Sequence, residues 1–490
     1  MRRPAAVLTA LALSVAGLAS AAPGAVADLS PSDPAYTVRD TANVADAYGR
    51  ITGPGGQLRN PAYLPALVRE TNATTVAQLL QQAASPTRPA LTAGNVFPGW
   101  NVGNPLRAGW EQTRGRVTKV AFTNRYGALL RGHVYRPAPG ARDPYTGAAL
   151  TGPFPGVVIT TGSVQGSEGM YEWLAHDLAE RGYVVLTYDV QGQGTSETLP
   201  HTTGDALPFC NPFGEPGEGE MSGCPGVPSQ QLANFVVGTE DALSFFTSSP
   251  AKPYRNPGSA GADVTSFNPA WRQWDRSPDP RPATPGRTTR IAIVGHSLGA
   301  SAVSQVQGTD RRVAAVVALD KLQSAEARPV VPALAVQSEY GFTVTPWWLS
   351  GGSSLSPQPS PAGPDRRREK ATGFNAWRRA GVDSMLVVPR ASTHLEYTDI
   401  PLALPASRHG QALTSVYTQR WLDRYLKHRG GSAPLLARSF RYLEPVGAGR
   451  WAPITLRRDP LLSFYYCSAY AVRDRTGLRA DPDTTDLGCR

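Results

Sequence analysis

Two kinds of hydrophobic pattern alternate along the chain after residue 155. Short apolar runs are bounded by glycine, proline and polar residues, as expected for strands that are buried on both faces. Between them lie longer segments whose apolar residues recur at helical spacing. The predicted strands are 156–160, 183–188, 291–294, 313–319, 333–336 and 385–388, and the predicted helices are 171–181, 230–247, 298–307, 374–380 and 411–427.

Ahead of these runs, segments 116–124 and 129–135 alternate apolar with polar residues around Arg125-Tyr126-Gly127. Such alternation is typical of antiparallel strands with one face toward solvent. The order of elements predicts an α/β fold, a doubly wound and mostly parallel sheet of eight strands. The antiparallel pair is expected at one edge, followed by six parallel strands.

The length of 490 residues exceeds what a single hydrophobic core fills, so additions to the main domain are expected. The α/β domain is predicted to span 116–428, with loop insertions at 196–229 and 248–289. Residues 28–115 are mixed and broken by proline, with one predicted helix at 74–84, and are interpreted as an N-terminal extension that packs on the core. Residues 429–490 are predicted to form a C-terminal extension.

The N-terminus has the pattern of a secretory signal. Met1-Arg2-Arg3 supplies positive charge, residues 5–19 are apolar and small, and Ala25-Val26-Ala27 has the small-x-small form of a cleavage site. We predict that residues 1–27 are removed near Ala27 and that the protein is secreted. The apolar stretch of about 15 residues is too short for stable membrane insertion, although a retained N-terminal anchor is an alternative.

The four cysteines form an even number, which in an oxidising compartment predicts disulfides. Three pairings are possible, and proximity in sequence favours Cys210–Cys224 and Cys467–Cys489. Closing loops of this length stabilises a fold by about 3 kcal/mol each. Neither pair has C-x-x-C spacing, so a structural role is predicted rather than redox chemistry or zinc binding.

The net charge of +10 at pH 7 raises the question of an acidic partner. The densest basic run, Arg366-Arg367-Arg368-Glu369-Lys370, is interpreted as a solvated loop ahead of a helix. Nucleic-acid binding needs a basic face with stacking aromatic residues or a reading helix, and neither pattern is recognisable, so no nucleic acid is expected as a partner. No H-E-x-x-H or clustered His/Asp motif occurs, so neither a metal nor a cofactor is predicted.

The strongest chemical motif follows the strand at 291–294. It reads Gly295-His296-Ser297-Leu298-Gly299, a G-x-S-x-G pattern that leads directly into a predicted helix. A tight strand-to-helix turn strains its central residue and leaves no room for side chains two positions to either side. We therefore predict that Ser297 is a nucleophile whose hydroxyl is exposed at the carboxyl edge of the sheet.

A serine hydroxyl needs a base to accept its proton and a carboxylate to orient that base. His394 lies between the last predicted strand and the last predicted helix, so its loop opens on the same edge as Ser297. We predict His394 as the base. The other six histidines are interpreted as structural, including His296, which adjoins the serine but is expected to point away from it.

The order of strand, G-H-S-L-G, acid, histidine and helix resembles the α/β-hydrolase family over about residues 116–428. The resemblance implies a Ser-His-acid triad whose acid follows the second strand beyond the nucleophile. This favours Glu339 in Gln337-Ser338-Glu339-Tyr340-Gly341, with Asp320 at the tip of the preceding strand as the alternative acid. It also implies that the backbone N–H groups of Leu298 and Ser163 form the oxyanion hole.

The resemblance further implies a secreted serine hydrolase that cleaves a small-molecule or polymer ester through an acyl-enzyme. A peptidase or amidase using the same triad is an alternative, and so is a non-catalytic binding protein on a hydrolase scaffold. No clamp for an amine or carboxylate is recognisable, which favours ester cleavage. The insertions and Trp347-Trp348 are expected either to roof the site or to pack in the core.

Overall fold

The computed structural model describes residues 29–84, 99–163, 167–198, 231–280, 289–347, 363–402, 405–429 and 431–489. The predicted signal peptide and the predicted pair Cys210–Cys224 lie outside these residues. Most of the predicted insertion at 196–229 and part of the insertion at 248–289 also lie outside them.

Within the described residues, ten strands form one mixed sheet and two more form a separate hairpin. The strands are β1 (Gly115–Thr123), β2 (Leu129–Pro137), β3 (Gly156–Thr160), β4 (Val184–Tyr188), β5 (Ile291–His296), β6 (Val313–Leu319), β7 (Ala333–Val336), β8 (Ser384–Val387), β9 (Ser439–Gly447), β10 (Arg450–Arg457), β11 (Ala469–Asp474) and β12 (Gly477–Asp481). The order in the sheet is β1-β2-β4-β3-β5-β6-β7-β8-β11-β12, and β9 pairs with β10. Strands β3 to β8 pair in parallel, whereas β1 and β2 are antiparallel at one edge.

Helices cover both faces of this sheet. They are α1 (Pro34–Asp46), α2 (Gly49–Thr52), α3 (Tyr63–Ala84), α4 (Trp110–Thr113), α5 (Glu172–Ala179), α6 (Leu232–Phe246), α7 (Leu298–Thr309), α8 (Arg368–Thr372), α9 (Phe374–Arg379), α10 (Gly410–Tyr425) and α11 (Ala433–Leu436). Helices α6, α7 and α9 contribute to one hydrophobic core, and α5 and α10 contribute to the other.

Strand β6 illustrates why the central strands are continuously apolar. All seven of its residues are buried, and the last four alternate between the two cores: Val316 and Ala318 face one, Val317 and Leu319 the other. Successive side chains of a strand point to opposite faces, so a strand covered by helices on both sides needs apolar residues throughout. The result is an α/β fold whose parallel strands end at a common edge.

The sheet has two more strands than the predicted eight. Strand β11 pairs antiparallel with β8, and β12 pairs antiparallel with β11, so the C-terminal segment extends the sheet. An edge strand leaves backbone N–H and C=O groups unpaired, and a docked segment satisfies them. This pairing joins segments that are far apart in sequence, so the local hydrophobic pattern did not reveal it.

The N-terminal segment is more helical than predicted. The helix predicted at 74–84 begins at Tyr63, and α1 was not predicted at all. A start signal for α1 is present in the sequence, because Asp33 caps the helix by accepting the Ala35 N–H and Pro34 follows at the first helical position. Helix α1 packs on the C-terminal segment, where Asp40 accepts a hydrogen bond of 2.6 Å from Tyr465 Oη.

Cys467 and Cys489 are joined by a disulfide, which is the pairing favoured by their proximity in sequence. Both are buried and pack with Leu487 in a small cluster of their own. None of the helices in the described ranges has both the length and the apolar character needed to cross a bilayer.

Candidate active site

Ser297 occupies a sharp turn between β5 and α7. Its backbone angles are φ 56° and ψ −122°, a strained conformation for a residue with a side chain. A Cβ added to Gly295 would lie 2.1 Å from the Gly299 carbonyl oxygen, and one added to Gly299 would lie 2.4 Å from that of Thr161. Because neither position has room for a side chain, both glycines of the motif are required by packing.

His394 contacts both Ser297 and a carboxylate. Its Nε2 lies 3.0 Å from Ser297 Oγ, and its Nδ1 lies 2.7 Å from Asp320 Oδ2. The three residues come from different segments, at the ends of β5, β6 and beyond β8. Such an arrangement lets the imidazole accept the hydroxyl proton while the carboxylate stabilises the imidazolium that forms.

The carboxylate of Asp320 is held on both oxygens. Oδ1 accepts the Ser338 N–H at 3.2 Å, while Oδ2 accepts from His394. Burial alone raises the pKa of Asp320, but the hydrogen bond and charge of His394, followed by the charge of Lys321, hold this pKa well below its usual range. Asp320 therefore stays ionised at neutral pH.

Glu339, the carboxylate favoured by the sequence, does not contact His394. It is fully buried and accepts hydrogen bonds of 2.6 Å each from Asn43 Nδ2, the Ala391 N–H and Ser463 Oγ. Burial raises the pKa of Glu339 to about 7, although these donors act in the opposite direction. The described contacts give this side chain a structural role, cross-linking three distant segments.

The positions of the two acids follow from the strand order. Asp320 is the first residue after β6, which lies next to β5, and the Leu319 carbonyl accepts the Ser297 N–H at 3.0 Å. Glu339 lies three residues beyond β7, one strand further from β5, where the chain turns toward α1 and the C-terminal segment. Asp320, the alternative acid of the sequence analysis, is therefore the carboxylate that reaches His394, and Glu339, the favoured one, makes its hydrogen bonds elsewhere.

The two residues predicted to supply oxyanion donors belong to segments that lie next to Ser297. Leu298 is the first residue of α7, so its N–H lies at the helix N-terminus. A Cβ added to Gly162 would lie 3.2 Å from Ser297 Cβ, so the loop after β3 runs directly beside the serine. The Gly162 N–H donates to Tyr171 Oη at 2.9 Å and is therefore engaged, and Ser163, the predicted donor, is the next residue of this loop.

His296 is more involved than the sequence indicated. It does not contact the Ser297 hydroxyl, but its Nδ1 lies 2.7 Å from Tyr171 Oη and its Nε2 lies 2.8 Å from the His394 carbonyl oxygen. Burial, and then the charge of His394, lower the pKa of His296 to about 3. Its partner Tyr171 lies on a different segment, so no local pattern signalled the interaction.

This neutral imidazole is expected to make the protein sensitive to acid. In the unfolded chain His296 binds a proton below about pH 6.5, whereas in the folded chain it does so only near pH 3. Its contribution to the free energy of unfolding is therefore complete above pH 6.5 and falls by about 1.4 kcal/mol per pH unit below it. Urea unfolding of His296→Gln at several pH values should show a shallower loss toward acid. An unchanged slope would contradict this expectation.

Aromatic side chains near the site take different positions. The Phe342 ring meets His394 edge-on, with 4.6 Å between centroids, and is partly exposed, so it forms a wall beside the imidazole. Trp347 is buried and packs against Tyr465 and Tyr466, so it belongs to the core rather than to a roof. Trp348 lies outside the described residues.

Comparisons with known proteins give short or low-scoring matches, and no protein-family model matches the chain. The chain is 31% identical over 127 residues to an uncharacterized protein of Pseudomonas aeruginosa, covering 25% of this chain and 32% of that protein. It is 31% identical over 120 residues to the hydrolase LUC6 of Fusarium sp., covering 21% and 27%. The chain thus spans no more than about a third of the length of these curated relatives.

Among solved structures, a ferulic acid esterase from Streptomyces cinnamoneus aligns with a TM-score of 0.36 and 19% identity. The alignment covers 66% of this chain and 92% of the esterase. Because the TM-score is low, no property of that esterase is assigned to this chain.

Proposed function

We propose that this protein is a secreted serine hydrolase of the α/β-hydrolase type that cleaves carboxylic esters. The proposal is carried by one observation, the continuous hydrogen-bonded path from Ser297 Oγ through His394 to Asp320, with distances of 3.0 and 2.7 Å. A path of this kind at a strained strand-to-helix turn is what nucleophilic acyl transfer requires. Six parallel strands beside an antiparallel pair add support for the family resemblance.

In the proposed mechanism His394 removes the proton from Ser297 as Oγ forms a bond to the acyl carbon. The imidazolium then donates this proton to the departing alkoxide as the ester C–O bond breaks. Water attacks the resulting acyl-enzyme with His394 again as base, which releases the acid and restores the serine. Ionised Asp320 stabilises the imidazolium in both steps.

The oxyanion of each tetrahedral intermediate is assigned to the backbone N–H groups of Leu298 and Ser163. Leu298 is favoured by its place at the start of α7, where the helix dipole is positive. Ser163 is favoured because the loop after β3 lies against Ser297. Donors of this kind each lower the barrier by about 2.7 to 4 kcal/mol.

Two further parts of the proposal concern location and substrate. The disulfide Cys467–Cys489 fits an oxidising compartment and hence export through the predicted signal peptide. The substrate is proposed to be a small-molecule or polymer ester. Amide cleavage would require His394 to protonate a poorer leaving group.

A substrate panel tests the reaction class. We expect purified protein to hydrolyse p-nitrophenyl esters of graded acyl length and to leave aminoacyl p-nitroanilides nearly untouched. A fluorophosphonate probe should label the wild type at Ser297 and should not label Ser297→Ala. Turnover of anilides alone would contradict ester cleavage and indicate an amidase. Absence of both turnover and labelling would indicate a binding protein on a hydrolase scaffold.

A further inference from the structure

A chain of three hydrogen bonds passes behind the proposed catalytic residues. The Gly162 N–H donates to Tyr171 Oη at 2.9 Å, Tyr171 Oη lies 2.7 Å from His296 Nδ1, and His296 Nε2 lies 2.8 Å from the His394 carbonyl oxygen. Tyr171 and His296 are 1% and 2% exposed, so water does not compete for these bonds. These three hydrogen bonds link the loop after β3 to the backbone of His394, the proposed base.

The chemistry of the two ends sets the direction of each bond. A backbone N–H only donates and a carbonyl oxygen only accepts. A neutral His296 therefore carries its proton on Nε2 and donates it to the His394 carbonyl, while Nδ1 accepts from the Tyr171 hydroxyl. Tyr171 in turn accepts from Gly162, so both imidazole nitrogens and the phenol oxygen are satisfied at once. Burial and the neighbouring His394 favour this neutral form.

The segments that this chain joins are the ones that must be in register for acyl transfer. Gly162 precedes Ser163, the proposed oxyanion donor, and His394 carries the proposed base. The contact is close, since a Cβ added to Gly162 would lie 2.8 Å from His296 Nδ1 and 3.1 Å from Tyr171 Oη. Misplacement of reacting groups by about 1 Å costs about 100-fold in rate. The three hydrogen bonds that hold these segments in place are therefore expected to affect kcat.

We propose that Tyr171 and His296 are positioning residues that hold the loop after β3 and His394 in register around Ser297. The inference rests on the proposed function, because it assigns these residues a role in the same acyl transfer. Neither side chain contacts the Ser297 hydroxyl, so they act through Gly162 and through the His394 backbone. A purely structural role would instead lower stability and leave the rate of each correctly folded molecule unchanged.

Tyr171→Phe tests the hydroxyl alone, because the ring and its packing are kept. We expect kcat per active site, counted by fluorophosphonate titration, to fall by about 10- to 100-fold. The KM for p-nitrophenyl acetate should stay within about threefold, since ground-state binding is not altered. Affinity for an alkyl boronic acid, which mimics the tetrahedral intermediate, should fall in parallel with kcat.

The matched control is Tyr425→Phe. This tyrosine also donates a hydrogen bond from a buried position, to Asp383 Oδ2 at 2.7 Å. Asp383 directly precedes β8, so it lies at the amino ends of the parallel strands, opposite the carboxyl ends that carry Ser297 and His394. We expect it to lose stability to a similar extent while its kcat per active site stays at the wild-type value. A parallel loss of kcat in the control would overturn the inference.

His296 is tested by two substitutions of different length. His296→Gln retains a donor that reaches the His394 carbonyl, whereas His296→Ala removes both bonds, so we expect kcat to decrease from wild type to glutamine to alanine. Since the two side chains share one bond, Tyr171→Phe/His296→Ala should lose less than the product of the single effects.

A normal kcat per active site in both Tyr171→Phe and His296→Ala would overturn the inference. So would a loss in the double variant equal to the product of the two single losses. If Tyr171→Phe fails to fold, the comparison of His296→Gln with His296→Ala decides it. Measurements on the wild type distinguish a failure of the proposed function from a failure of the positioning role. A wild type that neither hydrolyses esters nor takes the fluorophosphonate label contradicts the proposed function itself. Ester turnover with unaffected variants contradicts only the positioning role.

Discussion

Replacing Ser297 by alanine is expected to lower kcat for p-nitrophenyl esters by a factor of at least about 10⁴. The hydroxyl and His394 act as one unit in the proposed mechanism, so loss of the nucleophile removes nearly all the benefit of the base as well. The fold should persist, because Oγ contributes one hydrogen bond to the described structure, to His394 Nε2. Thermal unfolding of the variant should therefore occur within a few degrees of the wild type.

The matched control for this experiment is Ser301→Ala, one turn further along α7. Its backbone N–H bonds to the Ser297 carbonyl in either case, so the helix start is preserved. We expect Ser301→Ala to retain wild-type kcat and to take the fluorophosphonate label. If Ser297→Ala retained appreciable ester hydrolysis after repurification, another residue would have to be the nucleophile.

The second large effect separates the two carboxylates. Asp320→Asn is expected to lower kcat by about 10⁴, because an amide in this position no longer favours the His394 tautomer with its proton on Nδ1 and no longer stabilises the imidazolium. Stability should change much less than activity, since asparagine is nearly the same size. Ester hydrolysis per titrated site and urea unfolding measure the two quantities separately.

Glu339→Ala is expected to give the opposite result. It leaves the buried donors of Ala391 and Ser463 without this acceptor and removes one of the two acceptors of Asn43 Nδ2, which keeps its bond to Tyr340 Oη. Each buried donor left unsatisfied costs about 1 to 3 kcal/mol. We expect the free energy of unfolding to fall by more than about 2 kcal/mol while kcat per folded site stays within a few-fold. Near-normal catalysis by Asp320→Asn together with inactive but folded Glu339→Ala would reverse the assignment of the acid.

Local sequence patterns determined much of the sheet and two of the three proposed catalytic residues. The predicted bounds of β3, β6 and β7 agree with the structure, because a continuous apolar run bounded by polar residues reports burial on both faces. Ser297 was recognisable because the two glycines around it are imposed by a single tight turn. His394 was recognisable because the carboxyl ends of parallel strands lie at a common edge of the sheet. A histidine in the loop after the last parallel strand is therefore expected near the serine.

Only the tertiary structure shows that Asp320 rather than Glu339 contacts His394, since both carboxylates follow neighbouring strands at that same edge. The choice depends on packing across the chain: Glu339 is held by Asn43 and Ser463, which are 296 and 124 residues away. The link from Tyr171 to His296 spans 125 residues, and β11 pairs with β8, with Ala469 opposite Leu386. Such contacts join segments whose own patterns carry no information about each other, so they are fixed only when the chain folds.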